Sequence, residues 1–209
     1  MDLDKAIDNR FSCRSFLDKK IEFETLKKLF DSCIKSPTAG NLQDFRFIIV
    51  TDEGKKKEIA ESCLKQLWMC NAPVLIVIAS DLKNLIRFYE DRAEFYAVQD
   101  TAAAAQTLIL KATDQGLGSN WISVFDTNVI SRVLKLPDHV KPYVIVPLGY
   151  TKEQPQEKKR HATETFCHFN EYGNKQHGKD VFPILKYQQE KPEEKKNIFT
   201  ILKEKFSKK

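Results

Sequence analysis

The chain has 209 residues, 42% of them hydrophobic and 30% charged, with a mass of 24.2 kDa. A chain of this length buries an adequate core as a single domain, and its composition excludes a disordered polymer. The net charge of +5 is concentrated late, and the five cysteines, Cys13, Cys33, Cys63, Cys70 and Cys167, are odd in number and form no CxxC pair. That pattern excludes a small disulfide scaffold and points to free thiols in a reducing compartment.

The acidic start Met1-Asp2-Leu3-Asp4 leads into no long apolar run, so neither signal peptide nor membrane span is expected, and a soluble cytoplasmic protein is. Residues 3–9 read as a short helix with Leu3, Ala6 and Ile7 on one side. In the following stretch, Asn9-Arg10-Phe11-Ser12-Cys13-Arg14-Ser15-Phe16, the residues Arg10, Ser12 and Arg14 alternate. An extended backbone turns all three to one side. Two guanidinium forks and a hydroxyl suit a phosphate, which accepts bidentate charge-assisted hydrogen bonds. Cys13 lies inside this segment.

Residues 22–36 repeat apolar side chains at Phe23, Leu26, Leu29, Phe30, Cys33 and Ile34, which is helical spacing. Pro37 ends that helix and Gly40 permits a positive φ. The joint from Ser36 to Arg46 therefore reads either as an ordinary helix-to-strand turn or as backbone shaped for close approach to a ligand. Phe47-Ile48-Ile49-Val50 is a short buried strand, and Thr51-Asp52-Glu53 caps a helix running through Ile59 and Leu64 towards Trp68. Residues 73–79 form an unbroken apolar run suited to a strand buried on both faces. Over 81–96, Phe88, Tyr89, Phe95 and Tyr96 are mixed with Arg87, Glu90, Asp91, Arg92 and Glu94, which suits a half-buried surface helix.

Residues 98–115 are apolar or small on nearly every side, as in a central helix that others approach closely. Gly116 ends it and Gly118 to Ser123 enters a strand. Residues 128–136 form a helix ended by Leu136-Pro137, and 143–150 is a third buried strand. Gln154 to Arg160 is a polar loop. The tail lysines, Lys191, Lys195, Lys196, Lys203, Lys205, Lys208 and Lys209, read as a solvated face, and no basic patch with aromatic context calls for nucleic acid. Over 197–206, Ile198, Ile201, Leu202 and Phe206 make an apolar stripe that must bury against something.

Three of these blocks together resemble the nitroreductase family of flavin enzymes. Arg10-Phe11-Ser12-Cys13-Arg14 matches the family's Arg-Arg-Ser-x-Arg segment, with Phe11 in place of the second Arg. Pro37-Thr38-Ala39-Gly40-Asn41-Leu42-Gln43-Asp44-Phe45-Arg46 matches Pro-Ser-Ala-Gly-Asn-x-Gln-Pro-Trp-Arg, with Asp44-Phe45 in place of Pro-Trp. Gly116-Leu117-Gly118-Ser119-Asn120-Trp121 matches Gly-Leu-Gly-Ser-x-Trp, and the spacing of Asp100, Ala103, Ala104, Leu108 and Leu110 is similar to the family's central helix. The likeness runs to about Tyr172.

The resemblance implies an α+β, nitroreductase-like three-layer fold: a central, mostly antiparallel sheet flanked by helices, in an intertwined homodimer. Residues 1–172 would be the FMN-binding domain and 173–209 an extension whose terminal helix packs on the dimer. FMN is the implied bound cofactor and NAD(P)H the transient donor. Arg10, Ser12, Lys158 and Arg160 would neutralise its phosphate, with Phe11 in the same segment, and Arg14 would lie near the N1 and O2 edge. Gln66 would face the pyrimidine edge, while Trp121, Ile122 and Ser123 would run beside the ring and offer a backbone donor to N5. Pro37, Thr38, Ala39 and Asn41 would come from the other subunit, and 81–96 corresponds to a variable segment that often covers the flavin. Nitroaromatics, quinones and similar flat electron-poor molecules are the implied acceptors, with no catalytic side chain required. The alternatives are a specialised flavin enzyme such as a reductive dehalogenase, and a flavin-binding redox sensor without turnover.

Other chemistries find less support. His161, Cys167, His168 and His177 fit no zinc spacing, and neither GxGxxG nor GxxxxGK[ST] is present. Ser12 has no nucleophile elbow around it.

Overall fold

The computed structural model describes residues 2–175. Met1–Gln156 forms one compact unit and a second begins at Glu157. The first contains, in chain order, α1 (Leu3–Asn9), α2 (Phe23–Cys33), β1 (Phe45–Val50), α3 (Glu53–Ser62), β2 (Val74–Asp81), α4 (Leu82–Tyr89), α5 (Ala93–Asp114), β3 (Gly118–Ser119), α6 (Thr127–Leu134) and β4 (Val140–Gly149).

The unbroken apolar run of β2 dictates the layering. Seven of its residues, Val74 to Ser80, are buried, and it lies inside a sheet of order β1-β2-β4-β3 in which every pair is antiparallel. Because side chains alternate along a strand, β2 feeds two cores. Ile76 and Ile78 pack with Leu29 of α2 and Leu108 and Ile109 of α5 on one face. Leu75 and Val77 pack with Ile59 of α3 and Ile130 of α6 on the other. Each such fully buried side chain contributes about 1.5–3 kcal/mol. The result is the α+β, three-layer arrangement with helices on both sheet faces that the family resemblance implies.

Helix starts follow the capping rule. Asp52 accepts from the Lys55 N–H at 2.8 Å, and Asp126 accepts from Asn128 and Val129 at 2.9 and 3.2 Å. Helix ends depart from expectation at two places. The helix expected to run towards Trp68 stops at Ser62, because Leu64 and Lys65 take φ of 55° and 57°; Trp68 then falls in a separate 3-10 turn, Leu67–Asn71. α6 ends at Leu134, not Leu136: Lys135 takes the left-handed cap with φ 53°, and the Leu136 N–H returns to the Ser131 carbonyl at 2.8 Å. β4 begins earlier than its apolar run, at Val140, and a bulge opposite Ile78 and Ala79 accommodates Pro142 and Tyr143.

The 81–96 segment folds as α4, a 3-10 turn at Glu90–Arg92 and the first turn of α5. Leu82, Leu85, Ala93 and Ala97 form a third small core, with Ala39, Leu42, Tyr89 and Tyr96 packed against it. In the second unit, Lys175 Nζ donates to the carbonyls of Glu164, Thr165 and Cys167 at 2.8, 3.0 and 2.9 Å, and His168 stacks on Tyr172 at 4.4 Å. The stripe over 197–206, the lysine-rich tail and His177 lie outside the described residues.

Candidate active site

The segment after α1 joins the sheet at its β3 edge. Ser12 bridges Ser119 in parallel, the Cys13 N–H donates to the Ser119 carbonyl at 2.9 Å, and Asn120 Nδ2 donates to the Cys13 carbonyl at 3.0 Å. Further along, the Arg14 N–H donates to Glu153 Oε2 at 3.0 Å, Thr151 Oγ1 to the Ser15 carbonyl at 2.7 Å, and the Leu17 N–H to Tyr150 at 2.8 Å. This ladder holds the segment extended, so Ser12 and Arg14 are exposed while Cys13 between them is buried. Arg10 is half-buried at the end of α1.

Close approach at this edge depends on Gly118. A Cβ there would lie 2.7 Å from Cys13 Sγ and 2.8 Å from Thr151 Cγ2, so a side chain would push the Arg10–Arg14 segment off β3.

The Arg14 guanidinium carbon lies 6.0 Å from the centre of the Trp68 ring, and Phe16 stacks on the same ring at 6.5 Å with 20° between planes. Phe16 and Trp68 pack into the core face that also contains Ile122. Ile122 is held to Ile145 by two backbone hydrogen bonds of 2.9 Å, after which Ser123 and Val124 are exposed. Gln66, half-buried, precedes the 3-10 turn that presents Trp68. Trp121 packs on the opposite core face. Thus Arg14, Trp68 and Ile122 converge, bringing together the two sequence blocks around Arg14 and Trp121. Phe11 lines a cavity of about 280 Å³ with Thr113, Gly118, Thr151 and Glu153.

The Pro37–Asn41 loop belongs to a different neighbourhood. It packs on α5: Ser36 Oγ meets Thr107 Oγ1 at 2.9 Å, and the Ala39 N–H donates to both Asp100 oxygens at 3.0 Å. Gly40, Asn41 and Gln43 all take positive φ, and the Gln43 N–H donates to Thr38 Oγ1 at 3.0 Å. Only Gly40 meets this geometry without steric cost. A cavity of about 490 Å³ opens beside it, lined by Pro37, Thr38, Tyr89, Tyr96, Gln99 and Asp100. Lys158, half-buried, and Arg160, exposed with its guanidinium on the Lys159 carbonyl at 2.9 Å, belong to the second unit.

Two contributors were not singled out from sequence. Trp68 reads as a helix end, and Glu153 sits in no periodic pattern or motif. Among the described residues no group of three His, Cys, Asp or Glu is placed to hold a metal, and no helix is long and apolar enough to cross a membrane.

Residues 7–69 and 63–150 match the nitroreductase family. A Methanothermobacter thermautotrophicus protein named NADH dehydrogenase/NAD(P)H nitroreductase is 30% identical over 161 residues, covering 74% of this chain and 80% of that protein. The Bacillus subtilis protein named FMN reductase [NAD(P)H] is 26% identical over 184 residues, covering 81% of this chain and 74% of that one. A solved nitroreductase family protein from Clostridium difficile superimposes with a TM-score of 0.70 at 26% identity, covering 82% of this chain and 99% of that chain. With its antiparallel sheet between helical layers and the Arg14, Trp68 and Ile122 face on that sheet's edge, the chain belongs to the nitroreductase family and is an NAD(P)H-dependent flavin oxidoreductase of that type.

Proposed function

We propose that the chain binds FMN against the face formed by Arg10–Arg14, Trp68 and Ile122–Ser123, and uses NAD(P)H to reduce flat electron-poor acceptors such as nitroaromatics and quinones. The observation that carries this reading is the convergence of an exposed cation, an exposed hydroxyl and an apolar floor on one sheet edge. That donor set fits a flavin mononucleotide, which needs phosphate partners at one end and a flat apolar contact with a cation at its pyrimidine edge. Bound there, FMN would supply hydride transfer from nicotinamide to an acceptor.

The chain's own residues supply binding and electrostatics. Arg10 and Ser12 hold the phosphate, and Phe11 shapes the segment that carries them. Arg14, fixed beside Trp68, stabilises negative charge gathering at the pyrimidine edge, where a preorganised cation lowers the cost of reduction. Gln66 faces that same edge. The backbone of Trp121, Ile122 and Ser123, tied to β4 by the Ile145 bonds, offers a fixed N–H to the ring. The Pro37–Asn41 loop, with Pro37, Thr38, Ala39 and Asn41, packs away from this face in its own chain, which supports its serving the site of a second copy in a homodimer.

Arg14→Ala tests the assignment. The variant is expected to bind FMN at least tenfold more weakly or to reduce it at least tenfold more slowly, by fluorescence titration and anaerobic stopped flow; unchanged values of both would contradict it.

A further inference from the structure

Asp44 and Asp100 stand against one another beneath the Pro37–Asn41 loop, with only 2% and 5% of their surfaces exposed. Ser80 donates its hydroxyl to Asp44 Oδ2, and Asp44 Oδ1 is buried without a hydrogen-bond partner. Both Asp100 oxygens share one donor, the Ala39 N–H. Four carboxyl oxygens are thus served by two hydrogens, too few for two buried anions.

No neighbouring cation closes the gap. Arg46 gives its guanidinium to the carbonyls of Gln43, Asp44 and Phe45 and to the Asp81 carboxylate. Lys141 of β4 pairs with Glu94 of α5. Tyr143 brings a buried, unpartnered hydroxyl; burial, with the charges of Glu94 and Asp44, pushes it up to about 12, so it stays neutral. Tyr89 and Tyr96 share the cavity with Asp100.

We propose that Asp44 and Asp100 hold one proton between them, and that this shared proton fixes the Ala39 N–H and with it the Pro37–Asn41 loop, making the loop's placement respond to pH near neutrality. The proton gives Asp44 Oδ1 the partner it lacks and leaves a single negative charge for Ala39. Burial first, and Asp44 second, push the Asp100 carboxyl up to about 7, in line with that arrangement. When the proton leaves, two adjacent carboxylates repel and Asp100 must withdraw from Ala39 or admit water. Asp44 stands at the position where the family motif this segment resembles has proline. Its effect on flavin affinity rests on the proposed FMN reading, whereas its effect on the loop does not.

The test separates the two. In the FMN-free full chain carrying isotope-labelled alanine, the Ala39 amide resonance is expected to shift with an apparent pKa near neutrality between about pH 5 and pH 9. Asp100→Asn, whose amide donates to Asp44 and whose carbonyl accepts from Ala39, should hold that resonance flat, and Asp44→Asn should do the same. In the second arm, wild-type FMN affinity divided by that of Asp100→Asn should fall by up to about tenfold per pH unit above neutrality. An Ala39 resonance that does not titrate, or titrates alike in both variants, overturns the shared proton. A titrating Ala39 in a chain that binds no FMN upholds it and overturns the flavin reading instead. A titrating Ala39 with a flat affinity ratio overturns the link between the pair and the flavin.

Discussion

Cys13 lies between Ser12, assigned to the phosphate, and Arg14, assigned to the pyrimidine edge, yet its environment takes it out of chemistry. It is fully buried against β3, and burial pushes its thiol up to about 11; Cys33 and Cys63, also fully buried, are pushed to about 12 and about 11. Cys70 and Cys167 are half-buried. With a thiol reagent at neutral pH, the native chain is expected to label at Cys70 and Cys167 first, and at the other three only on unfolding; mass spectrometry showing prompt Cys13 modification would contradict this. The alternation that hides Cys13 and exposes Ser12 and Arg14 was legible, because period two needs only an extended backbone. Lys56 was not: it is 2% exposed, its ammonium donating to the carbonyls of Cys70 and Ala72 at 3.1 and 2.8 Å and pairing with Glu53. Those partners come from the turn that presents Trp68, and no local pattern announces a lysine that ties two elements together.

Among the elements, β2 and α5 were legible for the same reason: each is enclosed, and enclosure leaves an apolar or small-residue run that needs no partner to be recognised. The joint between α4 and α5 was less so. Its geometry turns on Glu90, with φ 48° and ψ −120°, a region that side chains rarely enter and glycine tolerates. Glu90→Gly is therefore expected to stabilise the chain by about 1 kcal/mol, read as a raised denaturation midpoint. An unchanged or lowered midpoint would mean that the residue is not strained there. The sequence marks 81–96 as mixed aromatic and charged; the left-handed turn that splits it has no sequence signal, since glutamate does not favour it.

For the whole molecule, the three-layer fold is legible through the family resemblance of the sequence blocks, whereas the Asp44–Asp100 pair joins residues far apart in sequence that meet only where α5 packs beside the loop. The pair also leaves a mark on global stability. An unfolded Asp100 releases its proton near 3.8 and the folded one near 7, so between those values the folded chain holds a proton that the unfolded chain has lost. Stability from this group therefore falls as pH rises through that window and levels off above it. Denaturant unfolding of wild type and Asp100→Asn should show this slope as a difference between them; parallel curves would remove the pair from the account. The proposed homodimer would cover apolar side chains that a single chain leaves open, including Phe88, Phe95 and Val98, each more than half exposed.

The most direct measurement is an anaerobic titration of the purified, FMN-loaded chain with NADH and then NADPH, followed through the visible flavin band. Bleaching by one or both donors, and recovery of the band on adding a nitroaromatic or quinone, is the predicted result. A bound flavin that neither donor bleaches, or a chain that retains no FMN, would contradict the account.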